Sequence, residues 1–177
     1  LFTLVPKIDE YARETAEKAK KLANVIVVRQ KSDLYSSYFS KLIFKYFPDV
    51  TFVDISKSGE LHEPIKGIKG IKGVVFTTYP LPSFSFLGRL SEVLPVKKEV
   101  LIYASPSWAY DLELIRKRLK LFKEFKGVQI LDFWDSTKQN TDFHKSYLKK
   151  FGRAPENLAV LSFDISKVAL KCANNQQ

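Results

Sequence analysis

The feature of this sequence that most limits its fold is an alternation between two kinds of segment. From Ile8 to Ala23, apolar residues recur at helical spacing with charged residues between them. The next segment, Val25 to Val28, is short, continuously apolar and β-branched, which is typical of a strand covered on both faces. Because this alternation repeats along most of the chain, it predicts helices packed on both faces of a parallel sheet.

Later segments extend the pattern to about five strands. The predicted strands are residues 25–28, 50–55, 73–78, 100–103 and 127–131, and the predicted helices between and before them are residues 8–23, 34–47, 82–94 and 110–125. Ser32 or Asp33 is expected to cap the second helix. The predicted fold class is therefore α/β, an open doubly wound parallel sheet with right-handed crossovers.

The pattern changes after Trp134. Two helices, at residues 142–151 and 156–172, follow with no strand between them. We therefore predict an α/β ligand-binding lobe at residues 1–135, and a crossover with a C-terminal helix pair at residues 136–177. A threefold Ile-Lys-Gly run at residues 65–73 is interpreted as a twisted approach to the third strand, since it lacks the spacing of a phosphate-binding loop.

Length and composition indicate a globular chain. It has 177 residues, of which 45% are hydrophobic, and no apolar run approaches the roughly 20 residues that a membrane span requires. There is no Met, so the chain is expected to be a mature or excised piece of a longer protein. Cys172 is the single cysteine, which leaves both reducing and oxidising compartments open.

The chain is basic, with 29 Lys and Arg against 19 Asp and Glu and a net charge of +10. A solvated helix face is the favoured interpretation, because the bases lie opposite the apolar stripes, but a surface for anionic partners stays open. No nucleic-acid partner is predicted, since the basic residues are interleaved with core positions instead of being grouped beside exposed aromatic residues.

Recognisable catalytic patterns are missing from the sequence. His62 and His144 have no partner at the spacing of a metal site or a catalytic triad. Asp132 and Asp135 could form a carboxylate pair at the end of the fifth strand, although a cap or turn role is favoured. No glycine fingerprint for a dinucleotide follows the first strand. We predict a non-enzymatic chain with no catalytic residue, metal or cofactor.

The ends of the predicted strands carry aromatic and hydroxyl side chains. In open α/β sheets, ligands bind beyond the carboxyl ends of the strands, and small-molecule clefts combine apolar faces with a few directional polar groups. The predicted ligand-binding residues are Ser32, Asp33, Tyr35, Thr78, Tyr79, Ser105 and Trp108. A helix cap for Ser32 and a core position for Tyr35 are equally open.

The C-terminal third resembles a known family. The segment from Asp142 to Pro155, followed by Leu158-Ala159 and Phe163-Asp164, is similar to the Phe-x3-Tyr-x3-Phe/Tyr-Gly-x-x-Pro, Ala and Tyr-Asp-Ala pattern of type I periplasmic binding proteins, in the branch of the leucine/isoleucine/valine receptors. Upstream, the Asp33-Leu34-Tyr35 turn and the strand from Gly73 to Phe76 agree with that family in order.

The resemblance implies two α/β lobes that close on a small solute, and this chain looks like the second lobe plus the helices after the crossover. The first lobe, whose Ser and Thr residues hold the carboxylate of an amino acid, is missing. Tyr35 and the loop from Thr78 to Pro80 are then expected nearest the ligand. Ser36 stands where the family commonly has Gly, and Ser58-Gly59-Glu60 replaces a longer acidic linker.

Two functions follow as hypotheses. The first is binding of a small, amino-acid-like solute by a bacterial envelope receptor, periplasmic or attached to the cell envelope, that serves an ABC membrane transporter. The second is an envelope interaction module that kept the fold without solute binding, like the lipoprotein activators of penicillin-binding proteins. The last two helices either cover this lobe, swap between the copies of a homodimer, or leave an apolar patch exposed.

Overall fold

The computed structural model describes residues 8–61, 70–93, 97–130 and 142–153, together with residues 155, 159, 162–163 and 166–167. The helices are α1 (Ile8–Ala19), α2 (Leu34–Tyr46), α3 (Pro80–Val93), α4 (Leu112–Lys117), α5 (Leu119–Phe122) and α6 (Asp142–Phe151), and the strands are β1 (Val25–Arg29), β2 (Thr51–Asp54), β3 (Gly73–Phe76), β4 (Leu101–Ala104) and β5 (Gly127–Ile130). Two short 3-10 helices lie at Lys97–Glu99 and Pro106–Tyr110.

The strands form one parallel sheet of five in the order β2-β1-β3-β4-β5. Its register aligns Arg29 with Asp54, Val28 with Phe76, and Phe76 with Ala104. The predicted α/β fold class with an open doubly wound sheet is therefore confirmed. The order of the strands reverses between β1 and β3, since the chain moves outward from β1 to β2 and then returns to β3 on the other side of β1.

Both faces of the sheet are buried. Even-numbered residues of β1, β3 and β4, such as Ile26, Val74 and Ile102, together with Val53 of β2, belong to a large core cluster that includes Phe86 and Leu90 of α3. The residues that alternate with them point to the other face, because side chains in a strand alternate with a period of two. On that face α1 and α2 pack against each other and contact β3 and β1 respectively. This double covering explains why the strands are continuously apolar.

The helices differ from the prediction mainly at three places. Helix α1 ends at Ala19 instead of Ala23. Helix α3 begins at Pro80 instead of Pro82, and both prolines are tolerated because N–H groups in the first turn have no partner within the helix. The continuous helix predicted over residues 110–125 is wrong, since it is divided into the 3-10 helix, α4 and α5. At the second break, Arg118 and Leu121 donate their backbone N–H groups three residues back, to Ile115 and Arg118.

The chain divides into two compact units, Lys7–Leu131 and a second one formed by Leu1–Pro6 with Asp132–Gln177. In the second unit, Phe143 of α6 stacks on Phe163 with ring centroids 4.1 Å apart. The predicted boundary at residue 135 stays a prediction. His62, Asp132, Asp135, Cys172, most of the Ile-Lys-Gly run and most of the last predicted helix lie outside the described residues. None of the described helices has the length and apolarity that a membrane crossing requires.

Candidate functional site

The candidate site lies where the order of the strands reverses. The segments that follow β1, β3 and β4 meet there, at the carboxyl edge of the sheet, and ligands bind at this point in open α/β sheets. Backbone hydrogen bonds join the segments: Thr77 donates to Val28 at 3.0 Å, and Ser105 donates to Phe76 at 2.9 Å. The three strand ends that carry most of the predicted ligand-binding residues are therefore neighbours in the sheet.

Two buried hydroxyl groups in contact with each other link the start of α2 to the residue that follows β3. Ser36, in the first turn of α2, accepts a hydrogen bond from the backbone N–H of Gln30 at 2.9 Å, and its Oγ lies 2.9 Å from Oγ1 of Thr77. Thr77 in turn donates to the carbonyl of Val28 at 3.1 Å. Ser36 and Thr77 are completely buried, so these contacts set the position of the loop after β1. The sequence analysis did not identify this pair.

Asp33 is the N-cap residue of α2. Its carboxylate accepts a hydrogen bond from the backbone N–H of Ser36 at 2.7 Å. Of the two predicted caps, Asp33 therefore fills this position. Ser32 is exposed, and its hydroxyl accepts a hydrogen bond from the Gln30 side chain at 3.2 Å. Both residues lie at the edge, with Ser32 directly accessible to a ligand.

Thr78, Ser105 and Trp108 lie beneath the surface. The indole N–H of Trp108 donates to the carbonyl of Thr78 at 3.0 Å, and Ser105 Oγ lies 2.7 Å from Ser107 Oγ. Trp108 is fully buried and packs against the rings of Phe76, Phe84 and Phe122. In this structure these three predicted residues support the loops after β3 and β4, and a direct contact with a ligand stays a prediction for them.

Tyr35 is partly buried and lies between the buried residues of the site and its exposed surface. Its ring stacks on Phe39 with centroids 5.9 Å apart and lies 5.6 Å from the ring of Tyr79. Burial raises the pKa of the Tyr35 hydroxyl, and the nearby polar groups of Ser105 and Ser107 oppose that rise. Among the described residues, however, none forms a hydrogen bond of good geometry with this hydroxyl. Tyr35 therefore carries a buried polar atom next to an open aromatic surface.

Four exposed apolar side chains and the partly buried Tyr35 cover the outside of this edge. We call Leu34, Tyr35, Tyr38, Tyr79 and Leu81 the aromatic edge; the first three come from the start of α2, and the last two from the start of α3 and the residue before it. Leu34 is 89% exposed and Tyr79 is 48% exposed. Large apolar side chains grouped at one place on a surface mark a site for a ligand or a partner.

The two cations nearest this edge share one carboxylate. Arg29 and Lys31 each form an ion pair of 2.7 Å with Asp54, and the Arg29 guanidinium lies 4.2 Å above the ring of Phe52. Burial opposes ionisation of Asp54, but hydrogen bonds from the two cations outweigh it and lower the pKa of Asp54. Within the part of the chain that the structure describes, no group of three or more His, Cys, Asp or Glu could hold a metal ion.

Two solved structures resemble the chain, both of an ABC transporter substrate-binding protein from Desulfitobacterium hafniense. The one in complex with Leu has a TM-score of 0.63 and the other 0.64, each at 18% sequence identity. They match 91% and 92% of this chain, which spans about half (48%) of their own length. No family model and no curated protein matches the sequence.

These similarities show which class of fold the chain has. The two solved structures belong to the type I periplasmic binding protein class, so the chain has the fold of one lobe of that class. The resemblance noted in the sequence is confirmed to this extent. Both similar structures are named as substrate-binding proteins.

Proposed function

We propose that this chain is a lobe of a non-enzymatic receptor that binds a small solute at the aromatic edge. One observation carries the proposal: exposed aromatic and aliphatic side chains are concentrated at the reversal point of the strand order, where this type of sheet binds ligands. Buried hydrogen bonds at Ser36 and Trp108 hold the surrounding loops in place, so the surface is preorganised.

We further infer an amino-acid-like solute with an apolar side chain. The aromatic edge offers ring faces and aliphatic surface, whereas the nearest described cations are already paired with Asp54. The charged groups of such a solute would be held by parts of the protein outside this edge. The similar structure in complex with Leu supports this solute class. Service to an ABC transporter is supported because both similar structures carry the name of an ABC transporter substrate-binding protein. We infer an envelope location as part of the same proposal.

Titration of the isotope-labelled chain, followed by amide NMR, tests the proposal. Leucine, an acidic amino acid, a dipeptide and a sugar are added separately. We expect leucine to shift the amides of Tyr35, Thr78 and Tyr79, with weak affinity because one lobe encloses only part of a solute. Shifts scattered over the surface, or none with any compound, would contradict solute binding and favour the interaction module.

A matched pair of variants locates the solute. Tyr79 and Phe44 are both 48% exposed, but Tyr79 belongs to the aromatic edge and Phe44 lies near the opposite end of α2, against Phe52. We expect Tyr79→Ala to weaken the leucine response at least about fivefold, because an aromatic face at the site is lost. Phe44→Ala should leave it unchanged. Equal effects of both variants would contradict the placement of the solute.

A further inference from the structure

The edge of the sheet opposite the aromatic edge is strongly basic. Lys72 precedes β3, the 3-10 helix Lys97–Glu99 precedes β4, and Lys126 precedes β5. Backbone hydrogen bonds of 2.9 Å, from Leu101 to Lys72 and from Lys126 to Val100, hold these segments side by side. Lysines that are far apart in sequence are therefore collected at the amino ends of three neighbouring strands.

We call Lys72, Lys97, Lys98, Lys120, Lys123 and Lys126 the basic edge. Carboxylates lie among these lysines as well: Glu99 forms an ion pair with Lys72, Glu124 forms one of 2.9 Å with Lys97, and Glu92 is exposed in the last turn of α3. The other four lysines, Lys98, Lys120, Lys123 and Lys126, are exposed and form no ion pair among the described residues. The basic edge thus presents uncompensated positive charge to its surroundings.

The chemistry of the basic edge favours an extended anionic surface as its partner. Its cations are lysines, which are point charges on flexible stems and do not impose a fixed recognition geometry. Phe122 and Phe125 nearby are buried in the core, so they cannot anchor a protein partner or stack on nucleic acid bases. Binding to a membrane of anionic lipids requires no exposed aromatic anchor and no base stacking, because each lysine near such a surface adds to the electrostatic attraction.

We propose that the basic edge docks this protein on an anionic lipid bilayer. The aromatic edge lies at the carboxyl ends of the strands, and the basic edge lies at their amino ends. Docking in this way directs the aromatic edge of the unit Lys7–Leu131 away from the membrane. The proposal is independent of solute binding, so either one can fail while the other holds.

Cosedimentation with vesicles tests the proposal. The chain is mixed with vesicles of equal parts phosphatidylglycerol and phosphatidylcholine, or of phosphatidylcholine alone, at low and high salt. We expect binding to the anionic vesicles only, and loss of that binding at high salt because ions screen exposed charges. Equal binding to both kinds of vesicle, or no binding to either at low salt, would overturn the proposal.

Two triple variants separate the basic edge from the overall charge. Lys98→Gln, Lys123→Gln and Lys126→Gln together should weaken vesicle binding on the order of 100-fold, from the contribution of each lysine near the surface. Lys41→Gln, Lys57→Gln and Arg13→Gln together remove the same charge at exposed residues of the same unit away from the basic edge, and should weaken it less than about threefold. Equal losses would overturn the assignment to this edge. Capture of an acidic protein in place of vesicles would overturn the lipid partner.

Discussion

Ser36 shows how one small side chain organises the loops around the candidate site. Its hydroxyl is buried between β1 and β3, where it accepts from the Gln30 backbone and contacts Thr77. In the family that the sequence resembles, glycine is common at this position, so the sequence alone marks Ser36 only as a departure. The structure shows that the hydroxyl satisfies a buried backbone donor, which has no access to water.

Ser36→Ala is therefore expected to lower the free energy of unfolding by about 1 to 3 kcal/mol, because it leaves the Gln30 N–H without an acceptor in a buried place. Urea denaturation followed by circular dichroism measures the change. Ser37→Ala is the matched control: its side chain is partly exposed, and the change should stay within about 0.5 kcal/mol. Equal losses in the two variants would contradict the role given to Ser36.

Asp54 makes the stability of the β1–β2 edge depend on pH. Its pKa is lowered in the folded chain, since the hydrogen bonds from Arg29 and Lys31 outweigh its burial. A carboxylate with a lowered folded pKa stabilises the fold above its unfolded pKa of about 3.9. That contribution is lost as the pH falls through the folded pKa.

We expect Asp54→Asn to lower the free energy of unfolding at pH 7 by about 1.5 to 3 kcal/mol, the range for hydrogen bonds to charged groups. The difference from the wild-type chain should shrink as the pH falls below about 4. Urea denaturation between pH 7 and pH 3 measures it, with Glu92→Gln as an exposed carboxylate control. A difference that does not depend on pH would exclude the ion pairs as its source.

At the scale of elements, a glycine allows the loop after β2 to pack closely against the start of α3. Gly59 has a φ of +79°, in the left-handed region, and an added Cβ would lie 2.4 Å from the carbonyl oxygen of Pro82 and 2.6 Å from Cβ of Ser85. Backbone conformation and close packing therefore both exclude a side chain at this position. The loop approaches α3 because Gly59 has no side chain.

Replacing Gly59, which packs against α3, and Gly88, which lies within α3, should change the stability of the fold in opposite directions. Gly59→Ala should lower the free energy of unfolding by about 2 kcal/mol or more, because of the strained φ and the close contacts. Gly88→Ala, inside α3, meets nothing within 4 Å and should raise it by about 0.5 to 1 kcal/mol through better helix propensity. Thermal denaturation of both variants checks this. A stable Gly59→Ala chain would mean that the loop does not pack closely on α3.

At the scale of the whole sheet, the two surfaces proposed to be functional lie at opposite ends of the strands. The aromatic edge follows the carboxyl ends, and the basic edge precedes the amino ends. Substitutions at distant sites without shared partners have additive and separate effects. Solute binding and membrane docking should therefore respond to different residues of the same chain.

A combined variant tests this independence. Tyr79→Ala added to the lysine triple at the basic edge should show the leucine response of Tyr79→Ala alone and the vesicle binding of the triple alone. Both quantities are measured on the same preparation, by amide NMR and by cosedimentation. If the lysine triple alone weakened the leucine response, the two edges would be coupled, which contradicts separate roles.

Most of the fold could be predicted from the sequence because its signals are local. The β-branched run from Val25 to Val28 and the apolar spacing of α1 follow from burial on both faces of a sheet and on one face of a helix. The break near Arg118 could not be predicted, because apolar periodicity continues across it. Its hydrogen bonds depend on how the region packs against Phe84 and Trp108.

The sequence could predict which segments form the candidate site, but not which of their side chains are exposed there. Strand ends carrying Tyr35 and Tyr79 could be identified, because parallel strands bring their carboxyl ends to one edge. Trp108 and Ser105 have the same chemical character as surface residues of a cleft, yet they are buried, with their polar atoms engaged by Thr78 and Ser107. The residue type shows which contacts a side chain is able to make, whereas the fold determines which partner it contacts.

The amino-acid sequence by itself determined the α/β class, the alternation of helices and strands and the segments at the carboxyl edge, since each depends on residues close together in the chain. Only the tertiary structure decided the strand order, the hydroxyl contact between Ser36 and Thr77, and the collection of lysines at the basic edge. The physical reason is that these features join residues distant in sequence, and their energies arise only when the packed sheet brings them together.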